Sequence, residues 1–562
     1  MLIGLHLKRF ARGRLYHSTC AGAEIQEGYN AAVFDPHRQT GLSDRRIVAY
    51  VAAALFALAA WPLLLVDLPP LQDFPNHVAT AHIIAHPDLY PEYAFNGLFK
   101  SNALLTLWLH VFGRLGLFGA ARAFTAVVLA TSAFAIARFA LYFVGRRRFP
   151  VAILMAWPMV HSFAVSMAFL NFAFAFALSL ILLTVLDRQR AQPTVSRGFG
   201  IAALCGAVWY AHPFPLAVVG GLVALEVAGR NTWQARIRAG AELLLPLLPA
   251  GLLSLLAAQQ HLVKSAHTTV SGAAFSYLNP LETVLHFWTD VSGALTRWGS
   301  MTIVPAILLP VFAWSRRRDS VPFLSGKAMA ILTAAYVGLP VMLSNWWYFN
   351  CRLIPFLWAG LLLRVPEKLP RSVSIVLLTC ALAFSIVTGI DYVRLDRDNS
   401  EFAAGMDAVP TRATLLPLMF AQSKTSDFTA SLTHAWGLYT VGKDASAPLV
   451  FAVERSYPIT YREFPPPALI PPALDRFAEQ HATPAHLCKV VGVPPDDACE
   501  ALWRTGWVGF WRQATPRFSH VLTWAMTPEA RAVIPERYHR VFAAAELEIY
   551  VREGTASGAL TP

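Results

Sequence analysis

Long apolar runs separated by short polar connections dominate the first 390 residues of the chain. Apolar runs of about 17–25 residues are long enough to cross a bilayer as helices. The pattern therefore predicts a mostly α-helical membrane bundle of about eleven spans, several of them short, preceded by a polar and basic tail. The predicted spans cover residues 47–66, 119–144, 151–164, 168–186, 198–210, 216–228, 241–258, 301–314, 328–343, 353–363 and 373–390.

Basic residues occupy every second connection between these runs. Short loops rich in Lys and Arg stay on the cytoplasmic side of a membrane, so the alternation predicts a cytoplasmic N-terminus and places everything after residue 390 outside. Residues 102–117 are then predicted to form a helix on the outer surface, because a full span there would export a triple-Arg cluster. The basic clusters are Arg45 and Arg46; Arg146 to Arg148; Arg188, Arg190 and Arg197; Arg230, Arg236 and Arg238; Arg316 to Arg318; and Arg364, Lys368 and Arg371.

Composition and charge support a membrane location. Only 14% of the 562 residues are charged, too few for the polar surfaces of soluble domains, which carry about 25%. The net charge of +12 lies entirely in the first 390 residues, which contain 30 basic and 15 acidic residues, against 16 and 19 in the remainder. Because this excess falls in membrane connections, it indicates topology and argues against a nucleic-acid partner.

The chain after residue 390 has a different pattern and predicts an extracytoplasmic α/β domain over 391–562. Strand-like runs cover 415–420, 448–453, 487–491, 520–524 and 547–551, and a helix is predicted over 430–441. Cys488 and Cys499 can form a disulfide in an oxidising compartment. His434 and Asp427 have no neighbours whose spacing suggests catalysis, so this domain is expected to cover a site or bind an acceptor. The predicted organisation is a tail over 1–46, a membrane domain over 47–390 with an outer loop over 67–118, and the C-terminal domain.

Two carboxylates of the outer loop, Asp67 and Asp73, lie in the sequence DLPPLQDFPNH. Pro75 and Pro87 predict a helix of about a dozen residues between them, with Asp73 at its start and His77 one turn later. A carboxylate beside a histidine can act as general base toward a hydroxyl or amine, or bind a divalent cation such as Mg²⁺ or Mn²⁺. Alternatively, Asp73 only caps the helix, and His77 lies on its polar face.

The predicted outer face carries few cations, and these are candidates for binding phosphate. Arg352, in NWWYFNCRLIPF, can bind a phosphate with two hydrogen bonds, or it anchors an aromatic belt at the interface. His212, in VWYAHPFP, lies at an outer turn between two short spans, where packing or capping is the alternative role. Lys264 lies in another outer loop.

This layout resembles the GT-C glycosyltransferases, polytopic membrane enzymes that use polyprenyl-phosphate-linked sugars. The similarity covers residues 47–258 and rests on the short first span, the acidic outer loop and the stretch LHVFGRLGLFGAARAFTAVVLATSAFAIARFALYFVGRRR. In that superfamily the first outer loop carries an acidic base or metal ligand. The resemblance assigns that role to Asp73, although this chain departs from the family pattern, because LQDFPNH stands where many members have an Asp-Glu pair.

The resemblance implies an inner-membrane enzyme that transfers a hexose or pentose from a polyprenyl-phosphate donor to an extracytoplasmic glycan, lipid or protein. Asp73, with Asp67 and His77, would serve catalysis, and Arg352, His212 and Lys264 would contact the donor phosphate. One alternative is a lipid or polysaccharide flippase or transporter, although the spans contain few charged residues. Another is a non-catalytic envelope assembly protein whose exported domain binds a partner.

Overall fold

The computed structural model describes residues 42–265, 275–292, 294–307, 309, 321–343, 346–426, 429–452 and 457–555. The chain begins there with an apolar helix, α1 (Leu42–Ala60), which continues in a 3₁₀ turn, Trp61–Leu64. The outer loop then contains α2 (Phe74–Ala85), β1 (Tyr93–Phe95) and α3 (Leu104–Phe112). Helix α2 ends before Pro87, as predicted from the two prolines, and α3 lies within the segment predicted as a surface helix.

The next helices form most of the apolar core. They are α4 (Leu117–Ala156), α5 (Phe163–Ser166), α6 (Leu170–Ala191), α7 (Val195–Ala211), α8 (Pro213–Ala228), α9 (Trp233–Leu243) and α10 (Leu248–Ser265). Helix α4 is in fact two helices, because Gly145 interrupts it with a φ of 69°, in the left-handed region that glycine tolerates. The break falls directly before the triple-Arg cluster, where the sequence predicts a connection between two spans.

The rest of the helical region is described with gaps. It contains α11 (Pro280–Ser292), α12 (Arg297–Ile303), α13 (Gly326–Gly338), α14 (Ile354–Leu362) and α15 (Arg371–Ala403). A small antiparallel sheet joins β2 (Phe275–Ser276), β3 (Met342–Leu343) and β4 (Trp346–Trp347), in that order. Part of the predicted span 301–314 and the cluster Arg316 to Arg318 lie outside the described residues.

Five helical segments in the described chain are long and apolar enough to cross a membrane, so the chain has the make-up of a multi-pass membrane protein. They are Leu42–Leu64, Leu117–Ser166, Leu170–Ala191, Trp233–Ala257 and Arg371–Ala408. Shorter apolar helices cover Leu104–Leu115, Val195–Ala211, Pro213–Ala228 and Asn350–Leu362. The count of eleven spans stays a prediction, since several predicted runs correspond to these shorter helices.

The C-terminal region is α/β, as predicted. It contains β5 (Leu415–Met419), α16 (Gly437–Lys443), β6 (Ile459–Tyr461), α17 (Pro471–Gln480), α18 (Pro484–Val491), α19 (Asp497–Ala514), β7 (His520–Trp524), α20 (Pro528–Ala532), β8 (Tyr538–Ala544) and β9 (Leu547–Arg552). Four of the strands form a sheet in the order β5-β7-β9-β8, with β5 parallel to β7 and the other pairs antiparallel.

Three of the five predicted strand-like runs are strands, and two are not. The run 487–491 is wrong because it lies in α18, where Pro484 occupies the first turn and the Thr483 hydroxyl accepts a hydrogen bond from the His486 N–H. The described part of the run 448–453 forms a turn. Of the helix predicted over 430–441, only the part from Gly437 onward is helical.

Helix α2 joins the two parts of the described structure. Phe74, Val78 and Ala81 pack into the core of the long helices, whereas Ala79 and Ile83 pack into the core of the C-terminal region. Strand β1 pairs antiparallel with β6, which fixes the outer loop to the C-terminal region a second time. The side chains at the start of α2 are therefore held between the two cores.

Candidate active site

Asp73 occupies the N-cap position of α2 but does not cap the helix. Its backbone is in the α region (φ −87°, ψ 0°), and its carboxylate accepts no hydrogen bond from the free N–H groups of the first turn. The carboxylate instead turns toward the C-terminal region, where Oδ1 lies 3.4 Å from Nε2 of His434. Both side chains are largely buried, with 14% and 9% exposed respectively. The capping alternative therefore does not account for this aspartate.

Asn76 holds the other side of the His434 ring. Its Nδ2 lies 3.4 Å from Nδ1 of His434 and donates to the Leu449 carbonyl, and its Oδ1 accepts from the Phe451 N–H. The Phe451 ring packs edge-on against His434, with ring centroids 5.1 Å apart. Because Asp73 and Asn76 are three residues apart on one helix, their side chains share a face and meet the same histidine.

His77 and Asp475 complete the titratable groups of this cluster. Burial lowers the pKa of His77 to about 4, although the nearby Asp73 carboxylate opposes this effect. His77 is therefore a neutral imidazole at pH 7. Asp475, on α17, interacts electrostatically with His434, and burial raises its pKa to about 6.

Arg352 is buried without a partner carboxylate in direct contact. It makes no ion pair within 4 Å in the described chain, and its Nε has no hydrogen-bond partner there. Its guanidinium packs over the rings of Phe169 and Phe172, 4.9 and 5.5 Å from their centroids. The Asp73 carboxylate acts on it electrostatically. A buried cation in this state has unused donors that an incoming anion can occupy.

His212 is the direct neighbour of Arg352. Its Nε2 lies 2.9 Å from Arg352 Nη1, and its Nδ1 accepts the Phe214 N–H at the start of α8. A neutral imidazole has one proton, so accepting at Nδ1 leaves the proton on Nε2, facing a guanidinium that only donates. Two N–H donors then lie side by side, with their nitrogens 2.9 Å apart, a contact that an anion accepting from both would relieve. Such an arrangement suits an anion with several acceptor oxygens, such as a phosphate.

A small, mostly apolar cavity of about 30 Å³ lies beside Arg352. Aromatic residues of α5, α6 and α14 form much of its wall. Residues lining it include Phe163, Phe169, Phe172, Phe176, Arg352 and Trp358. The combination of one buried cation with apolar walls fits an amphiphilic ligand whose charged end meets Arg352.

The structure thus groups four of the six predicted residues into two clusters and places Asp67 apart from them. Asp73 and His77 form one cluster, Arg352 and His212 form the next, and the charge interaction between Asp73 and Arg352 connects them. Asp67 is exposed and interacts electrostatically with Asp396 instead. The side chain of Lys264 lies outside the described residues, so its role stays a prediction.

Three residues of the cluster were not predicted from the sequence. The spacing around His434 was interpreted as non-catalytic, and Asn76 and Asp475 were not singled out. Asn76 carried a usable signal, since it lies three residues after Asp73 on the same predicted helix. His434 and Asp475 carried none, because they approach Asp73 only through tertiary packing.

A divalent cation at Asp73 stays a prediction. Among the residues that the structure describes, no group of three or more His, Cys, Asp and Glu side chains could hold a metal ion. Mg²⁺ prefers several oxygen ligands, and Asp73 contributes a single carboxylate beside a histidine. The described donors alone therefore do not complete a metal site.

The apolar helices, the outer-loop helices and the C-terminal α/β region make up a mostly α-helical membrane-protein fold with an attached α/β region. A solved structure with a similar fold is "Crystal Structure of ArnT from Cupriavidus metallidurans in the apo state". The match covers 90% of this chain and 98% of that chain, with a TM-score of 0.50 and 13% sequence identity. At this identity the likeness shows a shared fold. No protein-family model and no curated protein sequence matches the chain.

Proposed function

We propose that the chain is a membrane glycosyltransferase that transfers a sugar from a polyprenyl-phosphate donor to an acceptor at the outer face of the membrane. The observation that carries the proposal is a buried Arg352 that forms no ion pair within 4 Å in the described chain and has an Nε without a hydrogen-bond partner there. The Asp73 carboxylate acts on it electrostatically. The ArnT-like fold supports a transferase of lipid-linked sugars. The apolar residues around Arg352 match the lipid portion of such a donor in their chemistry.

In the proposed reaction, Arg352 and the Nε2–H of His212 bind the donor phosphate oxygens. Asp73 accepts the proton of an acceptor hydroxyl or amine as its oxygen or nitrogen bonds to the sugar anomeric carbon. The bond from that carbon to the phosphate oxygen breaks, and the electron pair leaves with polyprenyl phosphate. The positive charge of Arg352 stabilises the negative charge of the leaving group. A single displacement of this kind inverts the anomeric centre.

The first prediction concerns Asp73 itself. Removing a general base costs about 10²–10⁴-fold in rate, so Asp73→Asn is expected to lower kcat by at least 10²-fold with little change in donor binding. The measurement is transfer of labelled sugar from a panel of polyprenyl-phosphate sugars in liposomes containing purified protein. Asp88→Asn is the matched control, because Asp88 is an exposed aspartate of the same outer loop.

Arg352→Ala in the same assay is expected to weaken donor binding at least tenfold, because the phosphate loses its charged donor.

Full transfer by Asp73→Asn would remove Asp73 from the mechanism. No transfer by the wild type with any donor, together with donor movement across the bilayer, would favour the flippase. Neither activity would favour the assembly protein. Loss of transfer in EDTA that is restored by Mn²⁺ or Mg²⁺ would show that a cation takes part.

A further inference from the structure

We infer that His434 is a positioning residue for Asp73, held in one tautomer by Asn76, so that the C-terminal region forms part of the active site. This inference rests on the proposed function, because it concerns the residue assigned there as general base. It extends that proposal by giving the C-terminal region a role beyond covering the site or binding an acceptor. The argument starts from Asn76, whose orientation the backbone determines.

The two ends of the Asn76 amide are distinguished by their backbone partners. The Phe451 N–H donates to one end at 3.1 Å, so that end is the oxygen, and the other end donates to the Leu449 carbonyl at 3.1 Å and is the nitrogen. Asn76 is fully buried, so water does not replace either contact. The group that faces Nδ1 of His434 is therefore an N–H donor.

A donor at Nδ1 determines where His434 carries its proton. Because Nδ1 must accept from Asn76, the neutral ring has its proton on Nε2. Nε2 faces Oδ1 of Asp73 at 3.4 Å, a close charge contact that is longer than a formed hydrogen bond, as is common in sites without substrate. In the proposed arrangement a small approach lets the Nε2–H donate to this oxygen and orient the carboxylate. The other oxygen is left to accept a proton from an acceptor group.

The backbone around His434 fixes this arrangement. Gly437, whose N–H bonds to the His434 carbonyl, lies directly against Pro75 of α2. A Cβ at Gly437 would collide with the Pro75 carbonyl oxygen, so this close approach requires glycine. The start of α16 is thereby pressed against the first turn of α2, and His434 is carried to Asp73.

The charged and titratable groups facing His434 are limited to a few in the described chain. Asp73 and His77 face it from α2, and Asp475 faces it from α17. Arg352 acts on Asp73 electrostatically.

The test compares His434→Ala with His434→Gln in the transfer assay. His434→Ala is expected to lower kcat about 10–100-fold, as removal of an orienting partner does, with donor KM within twofold. His434→Gln keeps an N–H donor and is expected to recover at least tenfold of this loss. His539→Gln is the control, because His539 is exposed on β8 far along the sheet.

Asn76→Asp separates the tautomer argument from simple packing. The new carboxylate would favour a proton on Nδ1, so neutral His434 would present a lone pair to Asp73. Asn76→Asp is then expected to lower kcat about 10–100-fold, as His434→Ala does, although the imidazole ring is retained. If His434 only packed against Asp73, Asn76→Asp would keep kcat within twofold of the wild type.

The outcomes distinguish this inference from the proposed function. Transfer by the wild type, loss in Asp73→Asn and normal kcat in His434→Ala would overturn the inference and leave the function standing. Equal losses in His434→Ala and His434→Gln, in protein that remains monodisperse, would also overturn it. No transfer by the wild type would overturn the proposed function and this inference together.

Discussion

Asp475 and His77 are buried in the same cluster, and burial shifts their pKa values in opposite directions. The pKa of Asp475 rises from an ordinary value of 3.8 to about 6, whereas that of His77 falls from 6.5 to about 4. In each case burial favours the neutral form. The free energy of unfolding therefore depends on pH through both side chains. The Asp475 contribution falls as pH rises, whereas the His77 contribution falls as pH is lowered.

Asp475→Asn is expected to stabilise the protein at neutral pH. The native pKa of Asp475 lies above its unfolded value, so its stabilising contribution is present below about pH 3.8 and is lost as pH rises through about 6. Asp475→Asn should raise the free energy of unfolding at pH 7.5 by about 1–2 kcal/mol. This is less than the full pKa shift would give, because the side chain is partly exposed and solvent screens its charge. At pH 4 the difference should nearly vanish. Denaturant unfolding in detergent measures both values.

His77→Gln provides the comparison of opposite sign. The native pKa of His77 lies below its unfolded value, so stability falls as pH is lowered from about 6.5 to about 4. The glutamine variant should show a smaller fall over this range.

An effect of Asp475→Asn on the free energy of unfolding that is equal at pH 4 and pH 7.5 would contradict a raised pKa for Asp475.

For single residues, the sequence identified several candidate side chains of the site but not the side chains that they contact. Asp73, His77, Arg352 and His212 could be selected because their types and local spacing suggested chemistry. The contact between Asp73 and His434 joins positions 361 residues apart and depends on the fit of Gly437 against Pro75. Local spacing contains no information about such a contact, so His434 was given no role.

Helices whose ends are marked by proline or by clustered arginines could be predicted from the sequence. Short apolar runs that fit either a strand or a helix could not. Pro75 and Pro87 bracketed α2, and the triple-Arg cluster marked the break in α4 at Gly145. The five-residue run 487–491 was too short to separate strand from helix by periodicity. Its helical state follows from Thr483 and Pro484 at its start, together with a disulfide that fixes it to α19.

The disulfide between Cys488 and Cys499 is expected to stabilise the α18–α19 pair. Closing a loop of this length contributes about 3 kcal/mol in the chain-entropy account. Cys488→Ser should lower the free energy of unfolding by about 2–3 kcal/mol, and reductant should destabilise the wild type but not the variant. Cys380→Ser is the control, since Cys380 is a free cysteine. Equal stability of Cys488→Ser and wild type in oxidising buffer would contradict this role.

Across the whole molecule, the basic residues and the disulfide point to the same orientation. Basic clusters alternate along the helical region, which predicts a cytoplasmic N-terminus and an exported C-terminal region. Disulfides persist in oxidising compartments, and the disulfide between Cys488 and Cys499 lies in the region predicted to be outside. The fold class followed from hydropathy, but the number of spans did not, because short helices such as α7 and α8 fall below the length of a regular span.

Cysteine labelling tests this orientation. The labelling background has Cys20 and Cys380 changed to Ser. Single cysteines are then introduced at three exposed positions: Leu115→Cys in the outer loop, His539→Cys in the C-terminal region and Ser196→Cys in a basic connection. A membrane-impermeant maleimide is expected to label the first two in spheroplasts and the third only after lysis. Labelling of Ser196→Cys alone in sealed spheroplasts would show that the topology is the opposite of the predicted one. Asp73 would then face the cytoplasm, and the acceptor of the proposed transfer would have to be cytoplasmic.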